Sequence, residues 1–101
     1  MRLTEIQELK GLSAKRDGSK LILGDLNFTP DSYEHESILD GEFLDPLGKS
    51  LSPNTFKLSS PKRIDYILGN EYVAFIKKPW SDTLNTASDH FPVWAEIIIN
   101  F

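Results

Sequence analysis

The chain has no cysteine among its 101 residues. That excludes a disulfide, a thiolate nucleophile and any cysteine-ligated zinc or iron–sulfur site, and it leaves the redox compartment open. Positive charge is also scarce: 11 Lys and Arg stand against 15 Asp and Glu, for a net charge of −4. Non-specific binding to nucleic acid or anionic lipid calls for clustered cations, so any polyanion must be held locally. No apolar run approaches the roughly 20 residues of a membrane span, and "MRLTEIQELK" carries charge where a secretory signal has its apolar core. The expectation is a chain without a membrane span, compatible with the cytoplasm but with no assigned compartment. Repeats, low-complexity tracts and linkers are missing too, which leaves residues 1–101 as a single domain.

What is present fits a soluble globular fold: 40% hydrophobic and 26% charged residues. A chain of this size buries only about two-thirds of its unfolded surface, so the core is thin. Thr4 and Gln7 form a capping-box pattern ahead of Ile6, Leu9 and Leu12, predicting a helix from about Glu5 to Ala14. "KLILG" reads as a short strand buried on both faces, ending at Asp25. Asp31 with Glu34 repeats the capping logic and predicts a second helix through "SYEHESIL", stopped by Gly41. "FLDPLGKSLSP" is loop; "NTFKL", "RIDYIL" and "YVAFI" read as strands, and "KKPWSDTLNTASDH" as a long connection. "FPVWAEIIINF" is a last strand, with Val93, Ala95, Ile97 and Ile99 on one face and Trp94, Glu96 and Ile98 on the other. The order predicts an α+β fold.

Three polar groups stand at strand ends: Asp25 with Asn27 in "GDLN", Arg63 with Asp65 in "RID", and Asp89 with His90 in "SDH". Strand ends of a layered sheet converge on one rim, so these groups can meet. Carboxylates bind hard divalent cations, while an amide and an imidazolium can hold a phosphate oxygen. A carboxylate beside His90 would fix its tautomer and favour its charged form, and Asp65 is the expected orienter. Singly, each group has an ordinary reading as a turn, a solvent-facing strand pair or a self-bonded loop. Order and context favour one site.

The series "LILGDLNFTPDS", "NTFKLSSPKRIDYILGN" and "SDHFPVWAEI" resembles the C-terminal half of the endonuclease/exonuclease/phosphatase family, which has the deoxyribonuclease I-like fold. "RLTEIQELKGL" resembles the helix before the family's first motif, so the resemblance covers the whole chain. It implies half of a four-layer α/β/β/α sandwich, with one mixed, mostly antiparallel sheet and outer helices. It further implies a phosphoester hydrolase dependent on Mg²⁺ or Mn²⁺. Asp25 would position or deprotonate the attacking water, Asn27 would bind the phosphate, and Asp89, with Asp25, would hold metal. His90 would contact the phosphate and stabilise transition-state charge, or act as base, with Asp65 orienting its ring.

The family's first half supplies a metal-binding glutamate, an early asparagine and a further histidine. Gln7 and Glu8 mimic a Gln-Glu pair but fall on the predicted helix, and His35 falls mid-helix, where a solvated surface role is expected. The isolated monomer is therefore expected to bind metal weakly and show little activity. An apolar sheet face would need covering; Leu21, Leu23, Ile64, Tyr66, Val93, Ala95 and Ile97 belong to that face or to the helix-facing one. This predicts a homo-oligomer, or association with a missing N-terminal half. Expected substrates are phosphoesters, including nucleic acid; Lys62, Lys77 and Lys78 could touch phosphate and Trp80 a base or a lipid, but solvated loop charge for the lysines and a partly buried cap on the core for Trp80 are the favoured readings. The alternative is a non-catalytic fragment or interaction module that retains the fold.

Overall fold

The computed structural model describes residues 1–58, 60, 62–85 and 87–99. Six elements follow in order: α1 (Leu3–Ala14), β1 (Leu21–Asp25), α2 (Tyr33–Leu39), β2 (Asp65–Gly69), β3 (Val73–Ser81) and β4 (Val93–Ile99). α1 begins two residues earlier than its sequence pattern suggests. Its cap is Arg2, not Thr4, and the Glu5 carboxylate accepts the Arg2 N–H at 2.8 Å. α2 is capped by Ser32, whose hydroxyl accepts the His35 N–H at 3.2 Å. Asp31, the expected cap, instead accepts from the Thr29 hydroxyl.

β1 and β2 pair antiparallel, from Leu21 opposite Gly69 to Asp25 opposite Asp65. One face of this pair is the core: Ile22, Tyr66 and Leu68 pack with Ile6 of α1, Ile38 of α2 and the turn residues Leu26 and Phe28. Tyr66 thus belongs to the helix-covered side, and Ile64, just before β2, is buried. Strand alternation sends Leu21, Leu23 and Asp25 to the opposite face, where Leu23 is 63% exposed. The expectation of a strand buried on both faces is therefore corrected, because both helices lie on one side of it.

β3 and β4 form a second antiparallel pair, from Val73 opposite Ile99 to Ser81 opposite Val93. β3 absorbs Lys77, Lys78 and Trp80, which were expected in a loop. The register slips on either side of Lys77, and Pro79, which has no N–H to donate, falls in the second slip. In β4, Trp94, Glu96 and Ile98 are exposed and Val93, Ala95 and Ile97 half-buried, as its alternation predicts, but Ile99, expected with the second set, is exposed too. The final two residues of that expected strand, Asn100 and Phe101, lie outside the described residues, as do Ser59, Pro61 and Thr86 in the expected loops.

The α+β class holds, but the described residues form two two-stranded sheets in place of the single sheet expected. β2 meets β3 where the Val73 and Phe75 side chains lie close against the bare backbone of Gly69: a Cβ added there would sit 2.9 Å from the Val73 Cβ. "NTFKL" is not a strand either; only Phe56 forms isolated bridges, to Lys62 and to His90. Its donors are split between two partners: Thr55 and Phe56 N–H go to the Lys62 carbonyl, and Lys57 N–H goes to the Asp89 carbonyl. No continuous ladder can form from that division.

Candidate active site

Asp25 closes β1 and Asp65 opens β2, and the register sets them directly opposite each other. Like charges at opposed positions destabilise a strand pair, so this pairing needs a compensating partner. His90 provides it. Its Nδ1 lies 2.8 Å from Asp65 Oδ2, and its Nε2 lies 3.8 Å from Asp25 Oδ2. The first is a hydrogen bond; the second is too long for one. Side-chain exposure rises across the cluster, from 15% at Asp65 through 29% at His90 to 44% at Asp25. The site is thus closed behind Asp65 and open beside Asp25.

The Asp65 hydrogen bond raises the His90 pKa above the ordinary imidazole range. Desolvation opposes the rise, and the charges of Asp65, Asp25 and Asp89 reinforce it. With Nδ1 directed at Asp65, Nε2 is the ring atom turned toward Asp25 and the opening. An imidazolium there offers an N–H donor to an anion.

The "GDLN" turn arranges the open side. Gly24 has φ 126° and Asn27 φ 58°, the left-handed region that Gly adopts freely and Asn tolerates. Asn27 donates its N–H to Asp25 Oδ1 at 2.8 Å, fixing the carboxylate, while its exposed side chain stands at the rim. Leu26 N–H reaches the Ile64 carbonyl at 3.0 Å and ties this turn to "RID". Asp89 is exposed beside His90, with Oδ1 accepting from the Ser88 hydroxyl at 3.3 Å. Lys57 holds the preceding loop by donating from Nζ to the Asn85 carbonyl at 2.8 Å and to the Ser88 carbonyl.

The structure therefore brings Asp25, Asp65 and His90 together, each with one ligand atom within 4.8 Å of the others. Asn27 and Asp89 flank them in sequence and stand outside that trio. The donor set fits a hard divalent cation at Asp25: carboxylate oxygens in an open, solvated position. His90 fits the set less well as a ligand, because the same carboxylates favour its protonated form. Gln7 donates to Ser37 across the helix pair at 3.2 Å and Glu8 is exposed on α1. Neither belongs to the cluster. Lys77 Nζ lies 4.0 Å over the Trp80 ring, and Lys62 Nζ 5.6 Å over Phe56.

His35 is not a solvated helix residue; it is 0% exposed. Its Nε2 lies 2.8 Å from Asp45 Oδ2, and Arg63 grips the same carboxylate through Nη1 and Nη2 at 3.3 and 3.0 Å. Arg63 also donates to the Ser50 and Gly48 carbonyls, so this buried group fixes the loop before "RID". The available signal was Ile38, three residues on and on the same helix face. Thr55, 1% exposed beneath the cluster, had no such signal.

Comparison with family descriptions finds the endonuclease/exonuclease/phosphatase family over residues 1–90. Comparison with curated proteins and with solved structures returns no significant match.

Proposed function

Because the chain belongs to the endonuclease/exonuclease/phosphatase family, we propose that it hydrolyses phosphoesters at the Asp25–Asp65–His90 cluster with Mg²⁺ or Mn²⁺. The supporting observation is the opposed aspartate pair bridged by His90, a costly arrangement for strand pairing alone. Asp25, with the exposed Asp89, would hold the cation, which supplies Lewis-acid neutralisation of phosphate charge when bound.

The remaining steps belong to the chain. Asp25 orients the attacking water or accepts its proton. The Asn27 amide donates to a phosphate oxygen from the rim. His90 donates from Nε2 to the phosphate, where negative charge grows in the transition state. Asp65 keeps the ring oriented and charged. Nucleic acid is one substrate that fits this set.

The uncovered face of β1 and β2 supports a partial-domain reading in which a second layer completes the site. A second copy of the chain or an N-terminal half would supply it. The test is hydrolysis of bis(p-nitrophenyl) phosphate and plasmid DNA at a chain concentration that permits association. Turnover that needs Mg²⁺ or Mn²⁺, stops with EDTA and falls about 10²–10⁴-fold in His90→Ala is expected. Equal inertness of wild type and His90→Ala would overturn the proposal and favour a retained but non-catalytic fold.

A further inference from the structure

Thr55 lies in a segment that resembles a strand in sequence but makes only isolated bridges. Its bonds explain that failure. The hydroxyl Oγ1 accepts the Ile64 N–H at 2.9 Å and the Asp65 N–H at 3.1 Å, and itself faces the Lys62 carbonyl at 3.4 Å. The Thr55 N–H donates to that carbonyl at 2.9 Å, while the Thr55 carbonyl accepts the Phe91 N–H at 2.8 Å. One buried residue therefore binds the backbone on both sides of the site: residues 62–65 through side chain and N–H, and the residue after His90 through its carbonyl. Phe56 adds a ring at 5.1 Å from the His90 ring, in an edge-to-face arrangement.

From this geometry we propose that Thr55 is the positioning residue of the site, holding Asp65 and His90 at hydrogen-bond distance. Asp65 is the first residue of β2, so its amide begins the strand, and an internal acceptor there sets where the carboxylate points. Ile64 is buried and Asp65 largely so; without Oγ1 their two N–H groups lose their acceptor. Strain at that point falls on the 2.8 Å contact between Asp65 and His90. The inference rests on the phosphoesterase reading for its consequence in catalysis, but not for its geometry.

The experiment records which nitrogen of neutral His90 carries the proton, from long-range ¹H–¹⁵N spectra of histidine-labelled chain at alkaline pH. Wild type is expected to hold the Nδ1–H form, bonded to Asp65. Thr55→Val, which keeps the shape and loses the hydroxyl, is expected to revert toward the Nε2–H form, as Asp65→Asn should. Thr55→Ser is expected to retain the wild-type tautomer. A folded Thr55→Val with the wild-type tautomer overturns the proposal, as does a folded Thr55→Ser without it. Should Thr55→Val fail to fold, amide exchange in wild type decides. Protection of both Ile64 and Asp65 N–H is expected, and exchange at the rate of open loops overturns the proposal. No step reads turnover, so an inert chain with this tautomer pattern counts against the phosphoesterase reading alone.

Discussion

Asp45 accepts hydrogen bonds from His35, Arg63 and the Leu47 N–H with its side chain 1% exposed. Burial pushes its pKa up, but the bonds from His35 and Arg63 outweigh that, and the carboxyl lies below its usual range. A lowered carboxylate contributes stability above its unfolded pKa, near 3.9, and loses it as pH falls through the folded value. Chemical denaturation across an acid pH series should show wild type losing stability in that window. Asp45→Asn should be less stable by about 3–5 kcal/mol at neutral pH and flatter below it. The meeting of Asp25, Asp65 and His90 was legible because three ordered motifs carried these residues. The Asp45–His35–Arg63 group was not: Glu34 and Glu36 beside His35 read as a solvated helix, and Asp45 sits in a Pro- and Gly-rich loop without periodicity. Thr55 was hidden for a similar reason, since its hydroxyl accepts from backbone N–H groups, a pairing that no residue pattern encodes.

Among the elements, α2 was readable in extent although its cap is Ser32 and not Asp31, β4 was readable from alternation, and α1 was misplaced only at its start. The failures came where tertiary partners outrank local preference. "NTFKL" has strand-like residues, but its N–H groups are drawn to Lys62 and Asp89, and β3 runs past its apolar segment because β4 pairs with it as far as Ser81. The junction of β2 and β3 makes a sharp prediction. Gly69→Ala would press a methyl to 2.9 Å from Val73 and 3.3 Å from the Phe75 ring. Overpacking of this kind costs about 1–3 kcal/mol, measurable as a lower midpoint in urea with an unchanged slope. An unchanged midpoint would mean that the two sheets are not held together at Gly69.

At the scale of the whole molecule, both helices lie on one face of β1–β2, and on the other face exposed Leu23 shares a groove with half-buried Ile67, Val93 and Ala95. Hydrophobic periodicity revealed which residues are apolar and hence the α+β class; it could not reveal which strands pair, so the two-sheet arrangement stayed hidden. No helix among the described residues is long and apolar enough to cross a membrane. The open face predicts self-association: sedimentation at tens of micromolar should give a species heavier than one chain, and Leu23→Glu should shift it toward the monomer. A wild-type monomer at that concentration would contradict the proposed second layer. The central claim is that Asp25, Asp65 and His90 form one cation- and phosphate-handling site. Mn²⁺ titration followed by ¹H–¹⁵N line broadening tests it most directly. The predicted result is broadening centred on the amides of Asp25, Asp65 and His90 and lost in Asp25→Asn; broadening spread evenly over the acidic surface, or unchanged in Asp25→Asn, would contradict it.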